Sequence, residues 1–233
     1  MGAEFGVSVG LGKLNAVTEA QPVAEISHNN SSSKQLRIVV LASGLGSLLQ
    51  SMLELLDAEK VQIVAVGSDK DCPALERAQN LNIPTFRVPF DAEAKKDREG
   101  WDIRVLEAVN SFSPDIVVSA GFMRILGPSF VEAYSNRIIN THPALLPSFP
   151  GARAVPDALD YGVKVTGTTV HIVDNGVDTG PILAQQPVAV EDDDTVETLH
   201  ERIKVVERRL LVDVLHSIAD HGIERDGRKA YLK

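Results

Sequence analysis

The feature that most restricts how this chain can fold is a repeated change of hydrophobic period. Short, nearly continuous apolar runs alternate with segments whose apolar residues recur every three to four positions. Leu36–Ala42 is the first run, and Leu48, Leu49, Met52, Leu53 and Leu56 form the first helical stripe. The rhythm continues with a strand over Val61–Gly67, a helix over Ala74–Asn80, a strand over Thr85–Val88 and a helix over Arg98–Asn110. A strand over Ile116–Ala120, a short helix near Ser129–Tyr134 and a strand over Arg137–Asn140 follow. Parallel strands need a crossover, usually a helix, and strands lacking polar alternation are covered on both faces. The expectation is an α/β protein with a doubly wound, mostly parallel sheet, whose ligands sit beyond the carboxyl ends of the strands. In the C-terminal third, Val165–Val173 and Ile182–Val190 read as a strand pair joined by the Asp174–Pro181 loop. One long helix from about Thr195 to His221 closes the pattern, with Asp194 and Glu197 placed like a capping box.

Composition narrows the function. With 233 residues, 44% of them hydrophobic and 24% charged, the chain can bury the core of one globular domain. A net charge of −9 supplies no basic stripe for nucleic acid, so any phosphate must be bound locally. No apolar run approaches the ~20 residues that cross a bilayer, which argues against a membrane partner. Cys72 is the only cysteine, leaving no disulfide framework and no cysteine-based metal site, a composition suited to the cytoplasm. Histidines at metal-ligand spacing are lacking too, so no metal is expected. Residues 1–35 have no sustained period and no signal-peptide pattern, and Gly6 stands where a myristoylation motif wants Ser or Thr. They read as a disordered N-terminal tail, with residues added in cloning or a wrongly assigned start codon as alternatives, ahead of one domain over residues 36–233.

Three segments carry chemistry. Asn140-Thr141-His142-Pro143 ends an apolar run, and alternation along an extended backbone sends Asn140 and His142 to one side. An amide donor beside an imidazole can hold a carbonyl oxygen as it becomes negative and move a proton near neutral pH. Asp178, in the Gly- and Pro-rich turn Asp174-Asn175-Gly176-Val177-Asp178-Thr179-Gly180-Pro181, can orient that imidazole. In Ser43-Gly44-Leu45-Gly46-Ser47, the glycines allow a tight turn before a helix N-terminus that favours an anion. Leu49 stands where a dinucleotide fingerprint wants Gly, and a P-loop Lys is absent, so the turn suits a single phosphate monoester. The alternatives are strand capping by Asn140 and His142 and a plain strand–helix turn at Ser43–Ser47. His171 reads as a hydrogen-bonded core residue or a supporting contact, and His200, His216 and His221 as surface residues.

Three motifs in order, Ser43-Gly44-Leu45-Gly46-Ser47-Leu48-Leu49-Gln50, Ala120-Gly121-Phe122-Met123-Arg124-Ile125-Leu126 and Asn140/His142/Asp178, carry a resemblance. From Leu36 to near Leu232 the chain resembles the formyl-transfer domain of enzymes that use 10-formyltetrahydrofolate. The resemblance implies a Rossmann-like formyltransferase fold with a C-terminal strand pair and long helix. It implies formyl transfer from 10-formyltetrahydrofolate to the amine of glycinamide ribonucleotide in de novo purine biosynthesis, by direct attack of the amine. Asn140 and His142 would stabilise the oxyanion, and Asp178 would orient His142 or relay a proton through water. Gly46, Ser47 and Leu48 would hold the ribose phosphate, and Glu207 would contact the ribonucleotide. Met123, Arg124, Ile125 and Leu126, with Asn140, Asp174, Asn175, Gly176, Val177 and Asp178, would line the folate slot, and Arg98 would lie near it. Leu45, Leu48, Arg153 and Pro156 depart from residues that many relatives carry, which leaves only backbone amides to act at the two leucines. The partners implied are small molecules, with a homodimer left open. Rival readings are formyltetrahydrofolate deformylase, methionyl-tRNA formyltransferase and, in a different class, a non-catalytic nucleotide-binding module.

Overall fold

The computed structural model describes residues 35–232, so the tail expected over residues 1–35 lies, but for Gln35, outside the described residues. The elements run β1 (Leu36–Leu41), α1 (Ser47–Leu55), β2 (Val61–Ser68), α2 (Pro73–Asn80), β3 (Thr85–Arg87), α3 (Ala92–Lys96), α4 (Arg98–Asn110) and β4 (Ile116–Ser119). They continue with α5 (Pro128–Ala133), β5 (Ile138–His142), α6 (Ala154–Tyr161), β6 (Val165–Ile172), β7 (Ile182–Ala189), α7 (Val196–His221), β8 (Ile223–Asp226) and β9 (Lys229–Leu232). Seven strands form one sheet in the order β3-β2-β1-β4-β5-β6-β7. Every pair up to β4–β5 is parallel, and β5–β6 and β6–β7 are antiparallel.

The unbroken apolar run of β1 follows from its place inside the sheet. Leu36, Ile38 and Val40 join one core with Leu49 and Met52 of α1 and Leu211, Leu215 and Ile218 of α7. Val39 and Leu41 point the other way, into a second core with Trp101 and Val105 of α4 and Phe130 of α5. Trp101 and Phe130 are completely buried, so truncating either to Ala should destabilise by about 3–5 kcal/mol. Both faces are therefore covered, as the lack of polar alternation predicts. The strand order reverses between β1 and β4, a switch point that opens a crevice at their carboxyl ends. Among the described residues, no helix is long and apolar enough to cross a membrane.

The elements expected from periodicity are present, most with ends within about two residues. Four were not anticipated. α3 has no apolar stripe and is set by its N-cap, where Asp91 accepts from the amides of Glu93 and Ala94. α6 carries Pro156 in its first turn, where a helix needs no amide donor. β8 and β9 form a short hairpin turning at Gly227, whose φ is 56°. The start of α7 also differs from expectation: Thr195 is the N-cap and Thr198 completes the reciprocal box. The Asp194 carboxylate instead takes two hydrogen bonds of 2.8 Å from Arg202, a charge-assisted pairing stronger than a bond to an amide.

Candidate active site

The sheet register brings the chemical residues together. Ser119, the last residue of β4, pairs with Asn140 of β5, and Asn140 pairs across the antiparallel ladder with His171 of β6. β5 runs two residues beyond that level, so His142 projects past its parallel neighbour. Alternation places Asn140 and His142 on the α4 side of the sheet with Ile138, and Thr141 on the α1/α7 side with Ile139.

His142 is 4% exposed, and both its ring nitrogens face oxygen acceptors. Nδ1 lies 3.3 Å from Asp178 Oδ2, and Nε2 lies 2.8 Å from the Phe149 carbonyl. Whichever nitrogen carries the ring proton, an oxygen acceptor stands opposite it. Asp178 Oδ2 also accepts from the Gly151 amide at 2.7 Å, tying the loop after β5 to the loop after β6. Asp178 and Phe149 both hold left-handed backbone conformations, with φ of 54° and 53°. For a phenylalanine that is a genuine outlier, and such strain concentrates at functional sites.

His171, 2% exposed, fixes the Asn140 amide. Its Nδ1 faces the Ile172 carbonyl at 3.1 Å, so the proton sits there and Nε2 is left as an acceptor. Nε2 lies 3.1 Å from Asn140 Nδ2, which donates one of its two protons and keeps the other for a ligand. The opposite amide orientation would set oxygen against an unprotonated nitrogen. Burial lowers the His171 pKa below the ordinary imidazole value and His142 lowers it further; the bond to Ile172 and the charges of Asp178 and Asp174 oppose this, and lowering wins. The neutral ring is therefore the resident form.

Around this centre lie two edges. On the α1/α7 side, Gly46 caps α1 with φ of 71° and no side-chain cap, leaving the first-turn amides to a ligand. A Cβ at Gly46 would lie 2.8 Å from Ala74 Cβ, so glycine is required by conformation and by space. Leu45 is exposed, and the Leu48 side chain is buried in the core. Glu207 of α7 is buried; burial raises its pKa, outweighing a hydrogen bond from Thr141 and the nearby Arg208 and Lys204 charges.

On the α4 side, Met123 and Ile125 of the segment after β4 are 70% and 69% exposed, and Val177 of the loop after β6 is 52% exposed. Apolar side chains left open at a crevice suit a flat aromatic ring. The Arg98 guanidinium donates to the Ile125 carbonyl and pairs with buried Asp102, which accepts from the Gly127 amide. Asp174 accepts from the Gly176 amide and the Thr179 hydroxyl, shaping the loop that presents Asp178. Gly180 permits its closure: a Cβ there would meet the Ile172 carbonyl at 1.7 Å.

The structure thus gathers Asn140, His142 and Asp178 into one cluster with the two edges beside it. Arg98 and Arg124 instead spend their side chains on protein partners, Asp102 and Asp69. Arg153 is an exposed residue paired with Asp157 and Asp160. His216 accepts from the Asp57 amide, binding α7 to the end of α1. Sequence reasoning missed the Phe149 carbonyl, a backbone atom that no residue pattern announces. The Arg228 guanidinium, which reaches the Thr179 carbonyl from the β8–β9 turn, was missed as well.

A family profile described as formyl transferase matches residues 36–215. Over 201 residues the chain is 55% identical to a phosphoribosylglycinamide formyltransferase of Mycobacterium tuberculosis, covering 86% of this chain and 93% of that one. Among solved structures, glycinamide ribonucleotide transformylase 1 of Symbiobacterium toebii superimposes with a TM-score of 0.80 at 36% identity, covering 87% of this chain and 99% of that one. A formyltetrahydrofolate deformylase of Pseudomonas syringae gives a TM-score of 0.78 at 30% identity, covering 86% of this chain and 67% of that one.

Proposed function

Because the chain belongs to the formyl transferase family, we propose that it moves the formyl group of 10-formyltetrahydrofolate onto the amine of glycinamide ribonucleotide, a step of purine biosynthesis. The observation that carries this reading is the meeting of two unlike edges at the end of β5. An anion turn and a buried carboxylate lie on one face, an open apolar edge lies on the other, and a hydrogen-bonding pair stands between them.

The α1 N-terminus receives the phosphate of the ribonucleotide through the amides of Ser47 and Leu48, and Glu207 faces its ribose. Backbone groups of Met123–Leu126 and Asp174–Asp178 hold the pteridine. The neutral amine is itself the nucleophile and attacks the formyl carbon, so no protein nucleophile is required. Charge then develops on the formyl oxygen, where the second Asn140 proton and the His142 ring donate. For the His142 Nε2 proton to take part it must leave the Phe149 carbonyl, so substrate entry replaces one acceptor with another. Asp178 holds His142 in place and takes up the amine proton through water; as the tetrahedral intermediate collapses, the bond from the formyl carbon to N10 of the folate breaks and N10 leaves with that proton, as tetrahydrofolate. Holding both reactants in one geometry supplies much of the acceleration. All of these residues come from one chain, and we place the enzyme in the cytoplasm.

Purified protein given 10-formyltetrahydrofolate should formylate glycinamide ribonucleotide, leave methionyl-tRNA untouched and hydrolyse the donor only slowly without an acceptor. Fast hydrolysis unaffected by the ribonucleotide would make the protein a deformylase, and formyl-methionyl-tRNA would overturn the reading.

A further inference from the structure

A buried polar chain lies at the sheet's switch point, outside the Asn140/His142/Asp178 cluster. Ser43, two residues beyond β1, is 2% exposed, and Asp69, immediately beyond β2, is 3% exposed. The Ser43 hydroxyl donates to Asp69 Oδ1 at 2.6 Å and accepts from the Met123 amide at 2.9 Å. Arg124 Nε donates to Asp69 Oδ2 at 2.7 Å, and its guanidinium lies over the Phe90 ring, 4.4 Å from the centroid. The Ser43 amide donates to the Gly121 carbonyl, and the Phe90 amide to the Asp69 carbonyl. Burial pushes the Asp69 pKa up, but the Ser43 hydroxyl and the Arg124 charge outweigh it and hold the group ionised below the usual carboxylate range.

Each member has one way to be satisfied. The Ser43 oxygen takes the Met123 proton, so its own proton must go to Asp69, and the second carboxylate oxygen is filled by Arg124. A buried carboxylate without both donors would be strongly disfavoured. The chain therefore joins three segments: the turn that opens the anion site, the end of β2, and the segment with the open apolar edge. The first and third are the two ligand edges.

We propose that Asp69 is a positioning residue that, through Ser43 and Arg124, fixes the spacing between the Gly44–Leu48 turn and the Met123–Leu126 segment, and so holds formyl donor and acceptor at reacting distance. This rests on the function proposed above. Asp69 touches neither ligand; it sets where two backbones stand. Displacement of a reactant by about 1 Å can lower a rate ~10²-fold while leaving each ligand its own contacts.

The test is steady-state formyl transfer with Asp69→Asn and Ser43→Ala. Asparagine keeps the shape but offers one acceptor oxygen to two donors, so it leaves the Arg124 charge uncompensated and sets its NH2 group against either the Ser43 hydroxyl or Arg124 Nε. Alanine removes the acceptor for the Met123 amide while the Asp69–Arg124 pair stays, so it serves if Asp69→Asn fails to fold. Both variants should lose roughly 10- to 100-fold in kcat, with KM for each substrate within about threefold of wild type. Unchanged kcat, or a loss confined to the KM of one substrate, overturns the proposal. Amide exchange provides a readout that needs no chemistry: the Met123 amide should exchange faster in both variants, with residues 174–178 unaffected. If the wild-type protein transfers no formyl group, the functional reading has failed, and unchanged exchange at Met123 would independently refute the network.

Discussion

Replacing His171 with Leu tests the amide-orienting role of a residue that never contacts substrate in our reading. His171 Nε2 is the acceptor for Asn140 Nδ2 at 3.1 Å, and Asp178 Oδ1 lies 3.6 Å from that same nitrogen. With leucine in place, the freed Asn140 proton loses its acceptor, and the Asp178 carboxylate, which faced the same imidazole nitrogen, can compete for it. A hydrogen bond to a charged group contributes about 1.5–3 kcal/mol, and an amide captured that way points its protons away from the formyl oxygen. At about 1.4 kcal/mol per tenfold, kcat should fall roughly 10- to 150-fold, short of or level with removal of an oxyanion donor at 10²–10³. The measurement is kcat at saturating donor and acceptor, with thermal unfolding alongside. His171→Gln should recover much of the rate, because its amide oxygen can accept the same proton. A second signature is pH. The folded-state pKa of His171 is lowered, so the folded protein binds fewer protons than the unfolded chain below pH ~6.5. Stability from this group is present above that value and lost as pH falls through the folded pKa, and His171→Leu should lack the loss. A His171→Leu variant that turns over within twofold of wild type, or a Gln variant no better than Leu, would refute the orientation argument.

Further outcomes follow from other residues. Asn140→Ala and His142→Ala should each lose on the order of 10²–10³ in kcat while remaining folded, and near-wild-type turnover in either would remove that residue from the oxyanion site. Gly46→Ala should raise KM for the ribonucleotide on the order of tenfold and leave the folate KM unchanged. A left-handed non-glycine backbone costs about 1–2 kcal/mol and the methyl group meets Ala74; equal weakening of both substrates would mean the damage is global. Glu207 has a raised pKa, so its charged form is disfavoured by folding, and stability falls as pH rises from its unfolded value through the folded one. Glu207→Gln should therefore raise Tm at neutral pH while raising KM for the ribonucleotide, and a lower Tm would contradict the burial argument.

Where a segment's period was set by its own burial, it could be read directly. β1 and α4 were placed closely because one lies between two cores and the other covers a face through Trp101, Val105 and Val109. α3 could not be read because Asp91, a single capping side chain, defines it. At the site, Asn140 and His142 were legible because two residues apart on a strand is a geometric statement. Their partners were not: the pairing of Asn140 with His171 depends on the register of strands 31 residues apart. Asp69 carries a weaker signal, a carboxylate just after an apolar strand on one side of the switch point, with Asp71 two residues on.

The antiparallel pairing of β5 with β6 makes strand alignment a catalytic variable. Asn140 meets His171 only because the ladder sets them opposite one another, with Thr141 facing Val170 and His142 facing Thr169. Side chains alternate, so an insertion or deletion of one residue within β6 would swing His171 to the α7 face and bring apolar Val170 or Ile172 opposite Asn140. In the connection from Pro143 to Lys164 the fixed points lie early: Ala144 and Leu146, bonded to Thr169, and the residues that hold the Phe149 carbonyl and the Gly151 amide. Length variation among natural relatives should accordingly gather around α6 and avoid β6, and a designed one-residue deletion should be tolerated near Gly162 and abolish turnover at Val170.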